Sequence, residues 1–343
     1  MRIANIALAG LLVAASALFN VANAQAPRAT QAVVKARGQL LCGVNEQLAG
    51  FSQLTDKGEM VGFEAEFCRA IAAAVLGDAR KVKFVATTIQ DRFNALRSGA
   101  LDVLLRTSTT TLERTVKTGV LDAATIYLDG QAMAVRKASG ITSLDQLAGK
   151  SICILESTPH GRNVREWFRF RSLPYTPVMF RSEEQLFAAF YAGKCDAVTG
   201  DISILSSVIL ASGKGADYLI IREILGMAPL GAFVRADDDQ WFNVVRWTFN
   251  TLLDAEDSDI TRANVDLKRR SGTDDEKRLL GVPPDDGILL GLDGDWAYNV
   301  IKQVGNYSEI FERTLGAATQ WNFYRGVNAL WNKGGVMYAL PLR

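Results

Sequence analysis

The 343-residue chain carries 38 lysines and arginines against 37 aspartates and glutamates, so its charges almost cancel. With no basic block and no net positive field, nucleic acid and anionic membrane surfaces are poor candidate partners. The single histidine, His160, leaves too few ligands for a zinc site, and a hydrolytic triad would have to be built around it without a G-x-S-x-G elbow. No cofactor is expected.

At the N-terminus one positive residue, Arg2, precedes an apolar run over 3–18, and Ala22-Asn23-Ala24 supplies the small residues of a cleavage site before Gln25. This pattern predicts a secretory signal over 1–24 and a mature chain of roughly 320 residues exported to a bacterial periplasm. No cysteine follows the cleavage point, so no lipid anchor is expected, and no later apolar run approaches the roughly 18 residues of a membrane span. That length exceeds what one hydrophobic core usually organises, which predicts two lobes. Cys42, Cys68, Cys153 and Cys195 predict two disulfides in an oxidising compartment. Four cysteines allow three pairings, and composition does not choose among them.

From residue 39 onward short β-like runs alternate with helical runs, the grammar of an α/β chain. A strand is predicted over 40–44, then a loop over 49–52 and a turn at Asp56-Lys57-Gly58. A helix over 64–75 buries Phe67, Ile71 and Val75, ends near Gly77 and feeds a strand over 82–85. Thr87 or Thr88 caps the next helix, whose Ile89, Phe93 and Leu96 share a face, and Gly99 stops it before a strand over 101–105.

That strand opens the most informative stretch, LDVLLRTSTTTLER over 101–114. Thr107, Ser108, Thr109, Thr110 and Thr111 place five hydroxyls at a strand end, and Arg114 adds a planar fork that matches a carboxylate in bidentate fashion. The combination predicts a site for a small carboxylate ligand. Taken alone, the same residues also fit a Thr-rich loop with a solvated arginine.

The second half repeats the grammar. Ser143 caps a short helix closed by Gly149, and a strand over 151–155 opens onto Glu156-Ser157-Thr158-Pro159-His160. Ser182 caps a helix that buries Leu186, Phe187 and Phe190, Gly193 ends it, and a strand over 195–199 leads into Gly200-Asp201. Ala95, Gly99 and Asp102 have the same spacing as Ala189, Gly193 and Asp196, a weak internal repeat that predicts two similarly built lobes. Ligands of open α/β sheets bind outside the carboxyl ends of the strands, so the segments after Val44, Leu105, Leu155 and Thr199 should face one cleft between the lobes. Beyond residue 227, Asp237-Asp238-Asp239 can cap a long helix carrying Trp241, Val244, Val245, Trp247 and Leu252, while Val282-Pro283-Pro284 and 291–294 are predicted loops. The aromatics Trp296, Tyr298, Tyr307, Phe311, Trp321, Tyr324 and Trp331 are expected to pack rather than to bind ligand.

Several blocks then carry a resemblance. CGVN at 42–45, GFEAEFCRAIAAAV at 62–75, RFNALRSGALDVL at 92–104 and GKCDAVTGD at 193–201 resemble the periplasmic solute-binding proteins of polar amino-acid ABC transporters, solute-binding family 3. DWAYNVIKQVGNYSEIFERTLG at 295–316 and the following ALWNKGGVMYALPLR resemble its longer subgroup, which serves general L-amino-acid uptake. The resemblance covers essentially the whole mature chain. It implies a type II periplasmic-binding-protein fold, two α/β lobes with mainly parallel sheets, joined by two crossing strands and closing on a ligand in the cleft. It also implies binding of a free L-amino acid, delivery to a membrane permease, no catalysis, and a monomer.

Carried over residue by residue, the resemblance puts the ligand carboxylate on Arg114, with donors from Thr107 and Thr109, and the ligand ammonium on Asp201. It maps further cleft positions to Asn45, Leu48, Arg106 and Thr158. Ser157-Thr158-Pro159 departs from the Gly-Thr-Thr of many relatives, and Pro159 offers neither an amide N–H nor a hydroxyl. An aromatic often found near Thr110 in the longer subgroup is also missing. The implied lobes run over 25–129 and 130–226, with 227–343 returning to the first lobe and adding a helical extension. Pairing Cys42 with Cys68 and Cys153 with Cys195 keeps each bridge within one lobe.

Plainer roles compete at some positions. Asp201 can cap the helix that follows it, Arg106 can pair with a nearby carboxylate, and Glu156 and His160 can be solvated loop residues. Two other functions fit the same fold: a periplasmic arogenate or prephenate dehydratase with Glu156 or His160 as general acid, and a chemosensory amino-acid-binding protein.

Overall fold

The computed structural model describes residues 29–283 and 286–342. The expected signal with its cleavage point, and Pro284 of the expected loop, lie outside the described residues.

Two lobes share one nine-stranded sheet. Its order is Val82–Ala86, Leu40–Val44, Val103–Leu104, Gly226–Arg235, Val120–Arg136, Ala197–Asp201, Ser151–Leu155 and Thr176–Phe180, with Tyr218–Ile220 also paired to Val120–Arg136. The first three strands run parallel to one another, and so do the last three. Between them the 17-residue strand Val120–Arg136 lies antiparallel to Gly226–Arg235 and reaches from one parallel set to the other. Ala132, Met133, Ala134 and Val135 are fully buried, as expected of strand residues covered on both faces.

The internal repeat corresponds to a shared piece of construction. Asp102 Oδ2 accepts from the amide of Leu41 at 2.7 Å, and Asp196 Oδ2 from the amide of Ser151 at 2.8 Å, so each aspartate pins the start of the neighbouring parallel strand. Gly99 and Gly193 both end the preceding helix at φ +81°. Arg235 and Arg136, the last residues of the two long strands, donate to the carbonyls of Leu101 and Cys195 at 3.0 and 3.2 Å. Spacing in the sequence thus tracks a twice-used joint, while the clamping arginines come from far away in the chain.

The first core is built on helix Phe63–Leu76. Its N-cap must be glycine: Gly62 sits at φ +120°, and a Cβ there would meet the Phe51 carbonyl oxygen at 2.4 Å. The ring of Phe63 packs edge-on against Phe67, Tyr127, Tyr307 and Phe311 at centroid distances of 4.9 to 6.3 Å. Helices Trp296–Gln303 and Tyr307–Thr314 close over this helix, with Gln303 bonded to the Ala79 amide and the Gly77 carbonyl at 2.8 and 3.0 Å. Beyond them Arg325 forks onto the buried Glu256 at 2.6 and 2.9 Å and anchors the extension. Separate clusters around Cys153, Phe190 and Leu205 and around Ile152, Val164 and Phe168 form the second lobe's core. Cys42 is bonded to Cys68, and Cys153 to Cys195.

Three expectations are corrected. The helix expected to carry Ile89 starts only at Arg92, and Ile89 packs on the second lobe's cluster, because the chain first crosses the mouth of the cleft. The strand expected over 195–199 is Ala197–Asp201, extended by its pairing with Gln131–Val135 of the long strand, so Asp201 itself lies in the sheet. Tyr324 and Trp331 are 90% and 65% exposed instead of packed, since no layer covers the turns after helix Tyr307–Thr314.

Candidate functional site

The ends of strands from both lobes converge on a small cavity of about 30 Å³, bordered by Arg106, Thr107, Thr109 and Arg114 on one side and Thr158, His160 and Asp201 on the other. Contacts cross the cleft around it. Arg114 Nη2 donates to the Ser157 carbonyl at 3.3 Å, Gln90 Nε2 to the Arg181 carbonyl at 2.7 Å, and Asn45 Nδ2 to Glu183 Oε2 at 3.0 Å. Wider openings of about 290 Å³ beyond Asn45 and Glu183, and about 500 Å³ beyond Arg114 and Ser157, adjoin the cavity.

Arg114 is placed by the turn that precedes it. The Thr111 hydroxyl accepts from the Arg114 amide at 3.2 Å and starts the short helix Leu112–Lys117, turning the guanidinium back along the strand end. Nη1 donates to the Thr109 carbonyl at 2.6 Å, and the group lies 5.3 Å from the centre of the Phe93 ring. Burial draws its pKa down to about 10, while Asp201 works in the opposite direction, so it keeps its charge at neutral pH.

Thr107 is buried at φ +36°, a conformation held by the hydrogen bond from its amide to Glu64 Oε1 beneath it. Its hydroxyl has no hydrogen-bond partner among the described residues. Glu64, also bonded by the Ser52 hydroxyl at 3.2 Å, is itself buried, which raises its carboxyl from 4.5 to about 7. Thr109 lies beside Leu230 of strand Gly226–Arg235 in an isolated bridge.

Across the cavity Asp201 is 2% exposed, and its Oδ1 is 3.0 Å from His160 Nε2. The capping role considered for Asp201 falls to another residue. Its side chain makes no cap bond to helix Ile202–Ala211, whereas Asp129 Oδ2 accepts from the Ser203 amide at 3.2 Å and from the Ser203 hydroxyl. Burial and the neighbouring Asp201 push the Asp129 carboxyl up. His160, considered a loop residue, is instead buried as the first residue of helix His160–Phe170, and Gln131 donates to its carbonyl at 3.2 Å. Thr158 borders the cavity, but its hydroxyl donates back to the Leu155 carbonyl at 2.7 Å.

The remaining expected positions separate. Arg106 is buried, donates Nε to the Thr87 carbonyl at 2.9 Å and has Nη2 3.8 Å from Glu183 Oε2, so it pairs with a carboxylate of the opposite lobe. Asn45 borders the wider opening rather than the small cavity, and Leu48 packs into the first core. Glu156 lies 3.4 Å from Arg181 at the surface.

Glu64, Arg92, Asp129 and Glu183 were not foreseen. For two of them a signal existed. Glu64 precedes Phe67, Ile71 and Val75 by three, seven and eleven residues, and Arg92 lies between Ile89 and Leu96 on the same period, so each occupies the apolar stripe of its helical pattern. A charged residue on a buried stripe needs a polar partner or a site.

The fold is that of a two-lobed binding protein, with strand ends of both lobes meeting at one cleft. Residues 40–264 match the model of the bacterial extracellular solute-binding proteins, family 3. The chain belongs to that family. It is 44% identical over 330 residues, 96% of this chain and 97% of the relative, to the general L-amino acid-binding periplasmic protein AapJ of Rhizobium johnstonii. It is 42% identical over 311 residues, 90% of this chain and 92% of the relative, to the glutamate/glutamine/aspartate/asparagine-binding protein BztA of Rhodobacter capsulatus. A periplasmic binding protein from Brucella ovis, solved with glutathione bound, superposes with a TM-score of 0.89 at 45% identity, covering 92% of this chain and 99% of that one. Among the described residues no helix is long and apolar enough to cross a membrane.

Proposed function

We propose that the chain captures free L-α-amino acids in the periplasm and, closed around them as a monomer, delivers them to the membrane permease of an ABC transporter. The observation that carries this reading is the placement of Arg114 and Asp201 on opposite walls of one cavity. The ligand carboxylate goes to the Arg114 fork with the Thr107 hydroxyl and Thr109 beside it, and the ligand ammonium goes to Asp201, one of whose oxygens already faces His160. Each charge of a zwitterion that leaves water carries a desolvation cost of several kcal/mol, and partners at both ends are what offset it in a buried site. The names of the similar proteins support the class: one binds general L-amino acids, one glutamate, glutamine, aspartate and asparagine, and glutathione has an α-amino-acid end of its own.

The lobes of this reading run over 25–129 and 130–226, with 227–343 completing the first. A ligand touching both lobes favours the closed state through contacts that the open state lacks. Chemistry on the ligand is not part of the proposal. Glu156 lies 3.4 Å from Arg181 at the surface, away from the residues that border the cavity, and His160 Nε2 sits 3.0 Å from Asp201, the group this reading assigns to the ligand ammonium. The test is a thermal-shift screen of the purified protein against the twenty L-amino acids, because a ligand that binds only the folded state raises its midpoint. A midpoint that no amino acid moves at millimolar concentration refutes the reading.

A further inference from the structure

Arg92 is 3% exposed, yet among the described residues no carboxylate is hydrogen-bonded to it. Its Nη1 donates to the Ile89 carbonyl at 2.6 Å, its Nε is buried without a partner among the described residues, and its guanidinium lies over Phe93 with 4.9 Å from Cζ to the ring centre. It borders the ligand cavity beside Arg106, while Arg114 completes a set of three arginines there. The zwitterion of the proposed function uses Arg114 and Asp201 and leaves Arg92 and Arg106 facing one carboxylate, Glu183. That carboxylate is loosely held. Glu183 Oε2 is 3.8 Å from Arg106 Nη2, accepts 3.0 Å from Asn45 Nδ2, and belongs to a side chain 25% exposed at the first turn of its helix. It borders both the cavity and the wider opening beyond it, so a rotation of its side chain takes it to solvent.

We propose that Arg92 and Arg106 form a second anion subsite, and that Glu183 is its resident occupant, displaced when a ligand brings a second carboxylate. With a neutral ligand such as glutamine, Glu183 stays on Arg106 and remains the one carboxylate beside the two arginines. With glutamate, the side-chain carboxylate takes the two arginines and Glu183 turns outward. One cleft thereby accepts neutral and dicarboxylic amino acids with one carboxylate beside the two arginines in either complex. Burial, reinforced by the neighbouring Arg114 and Arg106, draws the Arg92 pKa down, and Glu183 works in the opposite direction.

The inference rests on the proposed amino-acid site, and calorimetric titration of the full mature chain with L-glutamate and L-glutamine tests both. Arg92→Met should lower glutamate affinity roughly 30-fold or more while leaving glutamine within about threefold. Glu183→Gln, at a partly exposed position where folding is not at risk, should raise the glutamate-to-glutamine affinity ratio about tenfold by removing the competing charge. If Arg92→Met does not fold, that ratio alone decides. Equal losses for both ligands in folded Arg92→Met, or an unchanged ratio in Glu183→Gln, overturn the subsite while leaving the amino-acid site standing. A wild-type protein that binds neither these two nor any other L-amino acid overturns both.

Discussion

Replacing Arg114 with methionine keeps the length and apolar character of the side chain but removes the fork, and it separates a ligand role from a structural one. In the folded protein Arg114 makes a 2.6 Å bond to the Thr109 carbonyl, a 3.3 Å bond to the Ser157 carbonyl and a cation–ring contact with Phe93. Each charged hydrogen bond contributes about 1.5–3 kcal/mol and the ring contact about 0.5–1 kcal/mol, but the guanidinium's desolvation cost disappears with it. The net loss of stability should therefore stay below roughly 2 kcal/mol, with a midpoint lower by a few degrees. Binding should suffer more. A ligand carboxylate left in the cleft without its partner costs about 2–5 kcal/mol, which is roughly 30- to 5,000-fold in Kd. Arg114→Lys, which keeps the charge but not the planar fork, should fall between the two. The assay is calorimetric titration with the amino acid that gives the largest thermal shift, alongside a melting curve of each variant. A folded Arg114→Met with wild-type affinity refutes the carboxylate assignment.

Asp201→Asn should weaken the same ligand by a similar 2–5 kcal/mol, since an amide cannot neutralise a buried ammonium, and wild-type affinity in titration would remove Asp201 from the site. Glu64 predicts a pH effect on stability. Burial holds its carboxyl at about 7, above the ordinary 4.5, so the folded chain binds the extra proton and stability falls as pH rises through that window, by at most roughly 3 kcal/mol. Glu64→Gln should flatten that fall in melting curves taken between pH 5 and 8, and an unchanged slope would place the effect elsewhere. Replacing Cys153 and Cys195 together by serine opens a bridge spanning 42 residues and should cost roughly 2–4 kcal/mol in denaturant unfolding. Ligand affinity should stay within about threefold there, because the bridge joins two elements of the same lobe and takes no part in closure.

The sequence alone determined those features that depend on local pattern. The strand-helix alternation, the apolar stripe of helix Phe63–Leu76, the Ser182 cap and the matched Gly99/Asp102 and Gly193/Asp196 joints all follow from periods of two and 3.6 and from turn chemistry within a few residues. Strand ends are also local, so the hydroxyl run ending on Arg114 and the segment after Thr199 are placed at the cleft by pattern, whereas the ammonium role of Asp201 comes from the resemblance. What lay beyond the sequence is every relation made across the fold. That Arg136 and Arg235 clamp the two joints, that Asp129 and not Asp201 caps helix Ile202–Ala211, and that His160 is buried against Asp201 depend on residues 41 to 134 positions apart. The charge balance of the cleft is of the same kind. Arg92 shows in the chain only as a charge on an apolar stripe and Glu183 as an ordinary helix-surface residue, and the packing of one lobe against the other strips water from the first and sets the second across from Arg106, where Coulomb interactions are strong enough to matter.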